Sequence, residues 1–286
     1  MKNRMKKRTL ERSKQLLLMP SYLVATLWCV FTIFLFAWIL AASFSTTREI
    51  FSNKILTSGL HWENYTKALF ANNVLLNLCN SLIYSCGSVF ISVMICAPAS
   101  YMLARFSFRG NGLIQKMIVI GLGIPSVMII MPMFAIVNRL NMSGSRWTLV
   151  LLYIGMSVPF VTFYLMTFFK NISVSYEEAA AIDGCGPMRT FWQIVFPMAQ
   201  PGIVTVVIFQ FIGRWNEYFM ANIFANKPDL RPVGVGLYSM ITSMQTTGDW
   251  AGMFASVVLV FVPTLLLFIV LSRRIMSGVT VGGIKG

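Results

Sequence analysis

An all-α protein that crosses a membrane several times is predicted by three features of the sequence. Of 286 residues, 57% are hydrophobic and only 11% are charged, against roughly a quarter charged in a soluble domain. The apolar residues gather into six stretches of about 20 residues, the length that carries a helix across about 30 Å of hydrocarbon. None of these stretches shows the short apolar–polar alternation of a transmembrane barrel. The same composition excludes an ordinary soluble enzyme, and its apolar richness excludes a disordered chain.

The predicted spans are residues 22–42, 81–104, 113–137, 148–169, 202–224 and 252–271. A basic stretch precedes the first, with Lys2, Arg4, Lys6, Lys7, Arg8, Arg12 and Lys14. The apolar run after it exceeds the roughly 7–15 residues of a signal-peptide core, so it reads as a retained span. The third and fourth spans contain Pro125, Pro132 and Pro159. Neighbouring helices in a membrane bundle satisfy the carbonyls that proline frees, so continuous spans are expected there.

Lysine and arginine set the orientation. With the N-terminus inside, the inner segments hold fifteen of the 23 and the outer loops seven, with Arg214 within a span. Both termini are therefore expected in the cytoplasm. The resulting organisation is a basic N-terminus over 1–20, a six-helix domain over 21–271 and a tail over 272–286. The net charge of +14 reads as topology and contact with anionic lipid rather than nucleic-acid binding.

Metal and redox chemistry find little support. Cys29, Cys86 and Cys96 fall within spans, where a thiol acts as a small apolar group. Cys79 and Cys185 stand apart, no C-x-x-C occurs, and His61 is the single histidine. Beside Trp62, His61 reads as a residue of an aqueous or interfacial surface.

The segment from Lys170 to Pro201 is the longest inner connection. Ser175 and Glu178 have capping-box spacing, so a short helix is expected to start at Ser175. Glu177 and Glu178 suit its positive end, and Gly184 suits a left-handed stop. Pro187 then fits the first turn of a second helix, on which Met188, Phe191, Trp192 and Val195 form one apolar stripe. Pro197 and Pro201 end it. Two helices this short are not stable alone. The pattern fits either an amphipathic linker lying beneath the membrane or a docking element whose alanines allow a partner to approach closely.

Glu178-Ala179-Ala180, Asp183-Gly184, Ile194, Pro197 and Pro201 resemble the EAA loop of ABC importer permeases. The fuller string Glu177-Glu178-Ala179-Ala180-x-Ile182-Asp183-Gly184, with Phe191, Ile194 and Pro197 after it, is similar to the carbohydrate-uptake branch that includes the maltose importer. The resemblance extends along nearly the whole chain. It takes in Asn80-Ser81, Leu103-Ala104-Arg105-Phe106, Trp215-Asn216-Glu217 and the ending Gly278 to Gly286. That ending looks like the second, shorter permease of the maltose-type pair. Cys185 departs from the alanine usual after the Asp-Gly pair, with a side chain of similar size.

The resemblance implies a permease subunit forming half of a carbohydrate pathway, with no cofactor of its own and no enzymatic activity. It implies four kinds of partner besides lipid: a second homologous permease, a homodimeric cytoplasmic ATPase carrying ATP and Mg, an extracytoplasmic solute-binding protein, and a sugar or oligosaccharide. Glu177, Glu178, Ala179, Ala180, Asp183, Gly184, Ile194 and Pro197 would couple to the ATPase. Gly282, Gly283 and Lys285 would reach toward it in the tail. The chain's lack of a G-x-x-x-x-G-K-[ST] phosphate loop agrees with nucleotide bound on a separate subunit.

Gln210, Arg214 and Glu217 have i, i+4, i+7 spacing, which puts them on one face of the fifth span, with Asn216 nearby. Ionisable groups within a span are functional suspects, and the cluster reads either as pathway lining or as Arg214 and Glu217 neutralising each other. For Trp215-Asn216-Glu217 the resemblance favours the pathway. Rival readings are an importer of a non-sugar or sugar-phosphate solute and an ion-coupled carrier. The latter is disfavoured by the lack of an internal repeat and of further acidic residues within spans.

Overall fold

The computed structural model describes the backbone of residues 2–283, with side chains over 19–266 and at 268 and 269. Its helices are α1 (Lys2–Ser43), α2 (Thr47–Phe51), α3 (Glu63–Thr66), α4 (Val74–Arg105), α5 (Asn111–Leu122), α6 (Ser126–Arg139) and α7 (Arg146–Lys170). There follow α8 (Ser175–Ile182), α9 (Pro187–Thr190), α10 (Phe196–Met198), α11 (Gln200–Trp215), α12 (Phe219–Phe224), α13 (Val233–Thr247) and α14 (Trp250–Gly283). Wider π turns join α3 to Ala71 and α9 to α10. No strand occurs among the described residues, as expected of a polytopic all-α membrane protein.

Met19–Ser43, Val74–Arg105 and Arg146–Lys170 are each long and apolar enough to span a bilayer. The expected third span is not one continuous helix. Its halves α5 and α6 meet at 105°, because Pro125 disfavours helical geometry at Ile124 and Gly123 ends α5. Pro132 and Pro159, by contrast, stay inside α6 and α7. The expected fifth span is also interrupted: α11 ends at Trp215, three residues intervene, and α12 begins at Phe219. At its other end α11 meets the Pro187–Met198 segment at 73°. The second span starts two turns before the expected position, at Val74.

The chain forms two compact units, the first comprising residues 1–71 and 244–259, the second 72–243 and 260–286. In the first, Trp38 packs edge-on to Phe254, and Phe51 to Trp250, each at 5.4 Å. Asn64 fastens α3 to the end of α1 by donating to the carbonyls of Ser43 and Ser45 at 3.0 Å. Glu49 organises the loop after α2. Its carboxylate accepts from the backbone N–H of Thr46 (2.8 Å), the Thr57 hydroxyl (2.7 Å) and the Ser58 N–H (2.6 Å).

In the second unit α4 and α7 form the central pair. One face of α4 is built of Ser81, Ser85, Ser88, Ser92, Cys96 and Ser100, all buried. Small residues let membrane helices approach closely where no hydrophobic drive separates helix from lipid. Ser100 also donates to the carbonyl of Thr162 on α7 at 3.1 Å. One apolar core gathers Tyr84, Leu149, Val150, Tyr153, Met220 and Phe224. A second, toward the other end of the pair, gathers Val93, Tyr101, Leu165, Phe169, Phe191 and Val206. Trp28 and Phe34 on α1, Phe90 on α4 and Leu151 on α7 remain exposed, which is the surface that lipid covers in a membrane protein.

Candidate functional site

The segment after α7 is a two-armed knob seated on the ends of α4 and α7. Its first arm, α8, starts at Ser175 as expected, without the expected capping box. Val174 occupies the N-cap with helical dihedrals and no side-chain cap, while the Ser175 hydroxyl pairs with that of Ser173 at 2.7 Å. The arm closes at Gly184, whose φ of +77° is left-handed. The Gly184 N–H bonds to the Ala181 carbonyl at 3.0 Å and that of Cys185 to the Ala180 carbonyl at 2.8 Å, so the orphan carbonyls of the last turn are satisfied.

Pro187 opens the second arm at its first turn. The predicted stripe is only partly realised. Phe191 and Val195 are buried and Trp192 is half-buried, but Met188 is 66% exposed. The π turn Phe191–Val195 that follows changes the helical period between Met188 and Val195. Ile194 is half-buried and Pro197 exposed.

The two adjacent glutamates face different ways, as neighbours on a helix must. Glu178, Ala179, Asp183 and Gly184 are exposed, Ala180 is buried, and Ile182 is 86% exposed. Glu177 turns inward: its Oε1 accepts from Arg105 Nε at 2.7 Å and its Oε2 from the Tyr101 hydroxyl at 3.1 Å. Arg105 Nη2 donates to the Ile172 carbonyl at the entry to the knob. The sequence placed Arg105 among the inner basic residues and in the resemblance string Leu103–Phe106, but nothing in local spacing links it to Glu177, 72 residues away.

The intramembrane cluster is rearranged. Because α11 stops at Trp215, Glu217 does not continue the face of Gln210 and Arg214. No ion pair joins Arg214 to Glu217 among the described residues. Both converge instead on α7. Arg214 Nη2 donates to Ser157 Oγ at 2.9 Å and its guanidinium carbon lies 4.9 Å from the Tyr153 ring centroid. The Ser157 hydroxyl lies 3.2 Å from the Gln210 carbonyl oxygen. Glu217 accepts from the Tyr153 hydroxyl at 2.7 Å and from the N–H groups of Met220 (2.8 Å) and Ala221 (3.0 Å). It thus caps α12 across the break. Asn216 is exposed; its Nδ2 donates to the Ile212 carbonyl.

At the opposite end of α4, Asn80, Ser81 and Tyr84 hold the 228–233 loop. Asn80 Nδ2 donates to the carbonyls of Asp229 and Arg231 at 2.8 and 3.1 Å. Tyr84 donates to the Leu230 carbonyl at 2.8 Å, and the Val233 N–H to Ser81 Oγ at 2.8 Å. Gly282 and Gly283 end α14 and are described in backbone only; Lys285 lies outside the described residues. Among the described residues no group of three or more His, Cys, Asp or Glu is arranged to hold a metal ion.

Residues 96–279 match the family model described as "binding-protein-dependent transport system inner membrane component". The chain is 32% identical to the diacetylchitobiose uptake system permease protein NgcG of Streptomyces coelicolor, covering 92% of this chain and 87% of that protein. It is also 32% identical to the sulfoquinovosyl glycerol transport system permease protein SmoH of Agrobacterium fabrum, covering 93% of each. The trehalose transport system permease protein SugB of Mycobacterium tuberculosis is 28% identical, over 87% of this chain and 91% of that protein. In fold, the chain is similar to a crystal structure of a bacterial ABC transporter involved in the import of the acidic polysaccharide alginate. The TM-score is 0.77 at 20% identity, covering 92% of this chain and 97% of that one.

Proposed function

Since the chain belongs to the family of binding-protein-dependent transport system inner membrane components, we propose that it forms one membrane half of an ATP-driven importer for an oligosaccharide. A solute-binding protein delivers the sugar, a second permease completes the pathway, and a separate ATPase dimer in the cytoplasm supplies the work. Both termini lie on the ATPase side. The observation that carries this reading is the knob: a short helix that presents Glu178, Ala179 and Ile182 to solvent, closed by a left-handed Gly184. Permeases for diacetylchitobiose and trehalose among the relatives support a carbohydrate cargo.

In this reading Glu178 pairs with a basic residue of the ATPase, Ala179 allows close approach, and Asp183 and Gly184 set the turn. Ile194 and Pro197 hold the second arm, and the tail at Gly282, Gly283 and Lys285 reaches the ATPase. Closure of the ATPase dimer displaces the knob and tilts the helices it joins, a rigid-body switch between outward and inward access. Asn216 lines the pathway, while Gln210, Arg214 and Glu217 fix the break beside it.

A charged glycoside is the second reading, favoured by the sulfoquinovosyl glycerol permease among the relatives. The test is co-expression of the full importer with Glu178→Lys. The variant is expected to insert normally yet to lose ATPase co-purification and sugar uptake. Full co-purification together with normal uptake would contradict the coupling role.

A further inference from the structure

One helix end is fastened to both arms of the knob. On the first arm, Glu177 receives Arg105 Nε at 2.7 Å and the Tyr101 hydroxyl at 3.1 Å. On the second, the Phe191 ring lies 5.0 Å from that of Tyr101, which is also 5.9 Å from Phe169 at the end of α7. Arg105 and Glu177 retain only 9% and 15% side-chain exposure. Arg105 uses two nitrogens of its planar fork, one on Glu177 and one on the Ile172 carbonyl, which a lysine ammonium could not reproduce.

A carboxylate–guanidinium pair so withdrawn from water contributes little net stability, since desolvation offsets attraction. Its consequence is geometric. Displacing the knob must either carry the end of α4 along or strand two charges away from solvent. The face of α8 left free for a partner is the one bearing Glu178, so the inward and outward glutamates divide two tasks between them.

The structure assigns Arg105 and Tyr101 as positioning residues through which the stroke of the ATPase enters α4 directly, by side chains, in addition to the main-chain links to α7 and α11. This rests on the coupling role proposed for the knob. The path is contiguous: Glu178 outside, Glu177 beside it, Arg105 and Tyr101 on α4, and then Ser100 of α4 on the Thr162 carbonyl of α7. Coupling carried by packed groups of this kind is the physical form that long-range communication requires.

The test uses the complete importer, both permeases with ATPase and binding protein, in lipid bilayer discs. Three variants are compared: Arg105→Gln, Tyr101→Phe, and the exchange Arg105→Glu with Glu177→Arg. Arg105→Gln is expected to keep the ATPase at wild-type stoichiometry and to keep basal ATP hydrolysis. Stimulation by sugar-loaded binding protein should fall about tenfold, within the usual range of coupling between sites. Tyr101→Phe should lose less, and the exchange should recover part of the stimulation.

Wild-type stimulation in Arg105→Gln would overturn the proposal. So would loss of the ATPase from that complex without recovery in the exchange, which would reduce the pair to a folding element. Should Arg105→Gln not assemble at all, full stimulation in Tyr101→Phe with none in the exchange overturns it as well. Failure of the wild-type chain itself to hold the ATPase would overturn the coupling reading, and this inference with it.

Discussion

The hydroxyl of Tyr153 on α7 donates to the carboxylate of Glu217 at 2.7 Å, and that same carboxylate caps α12 through the N–H groups of Met220 and Ala221. A break in a membrane helix leaves backbone groups that lipid cannot satisfy. Here an acidic side chain satisfies the donors that open α12, and a tyrosine from the neighbouring helix fixes the acid in place. Tyr153→Phe and Glu217→Gln are each expected to lower the thermal stability of the purified chain. A double-mutant cycle should give a coupling of about 0.6–1.7 kcal/mol, the range for polar pairs between membrane helices. Additive effects would show that the two groups act independently.

Gly184 and Gly202 are needed for different reasons, and alanine distinguishes them. A Cβ at Gly184 would meet nothing within 4 Å, but its φ is +77°. Gly184→Ala should therefore leave the fold intact, cost about 1 kcal/mol in the turn, and weaken ATPase co-purification.

At Gly202 a Cβ would lie 2.6 Å from the Phe168 ring, where α11 crosses α7. Gly202→Ala should cost about 1–3 kcal/mol through overpacking, read as a lower unfolding temperature. A destabilisation at Gly184 larger than at Gly202 would contradict both assignments.

Glu49 gives a pH dependence whose sign is fixed. Its carboxyl is held well below the ordinary value of 4.5, foremost by the Thr46 N–H, then by the Thr57 hydroxyl and the Ser58 N–H. A depressed acid contributes stability that is fully present above the ordinary value and lost as pH falls below it toward the folded-state value. Hydrogen exchange over residues 46–58, corrected for intrinsic rates, should thus be unchanged from neutral pH down to about 5 and rise below 4.5. Glu49→Gln should exchange faster throughout and lose the acid-side rise.

Asn80 joins two carbonyls of the 228–233 loop with one amide. Asn80→Ala leaves both without that donor, at about 1–3 kcal/mol. Exchange protection is expected to fall at Leu230 and Val233 while the knob at 175–198 is unaffected. Equal loosening at both places would mean that the substitution acts globally.

Much of the knob was legible in the sequence because local chemistry sets it. Ser175 begins a helix, Gly184 ends it left-handed and Pro187 starts the next, each dictated by residues within one turn. The capping box failed because the helix starts one residue early for it: Val174 is the N-cap and Ser175 already lies within the first turn. The stripe fails at Met188, which is exposed ahead of a π turn that apolar spacing does not announce. In the third span the prolines looked equivalent on paper, yet only Pro125 coincides with a break, where Gly123 adds a second weak point.

Apolar length and charge bias by themselves determined that this chain is helical and crosses a membrane, because lipid leaves the backbone no other way to satisfy its hydrogen bonds. Short-range residue chemistry likewise determined the outline of the loop that resembles an importer's coupling element. Which of two adjacent glutamates is free was decided only in three dimensions, since Arg105 comes from another helix. So was the fate of Glu217, set by a tyrosine 64 residues earlier. Helix periodicity reports which residues share a face, but the partner across that face belongs to a distant segment, and only packing brings it there.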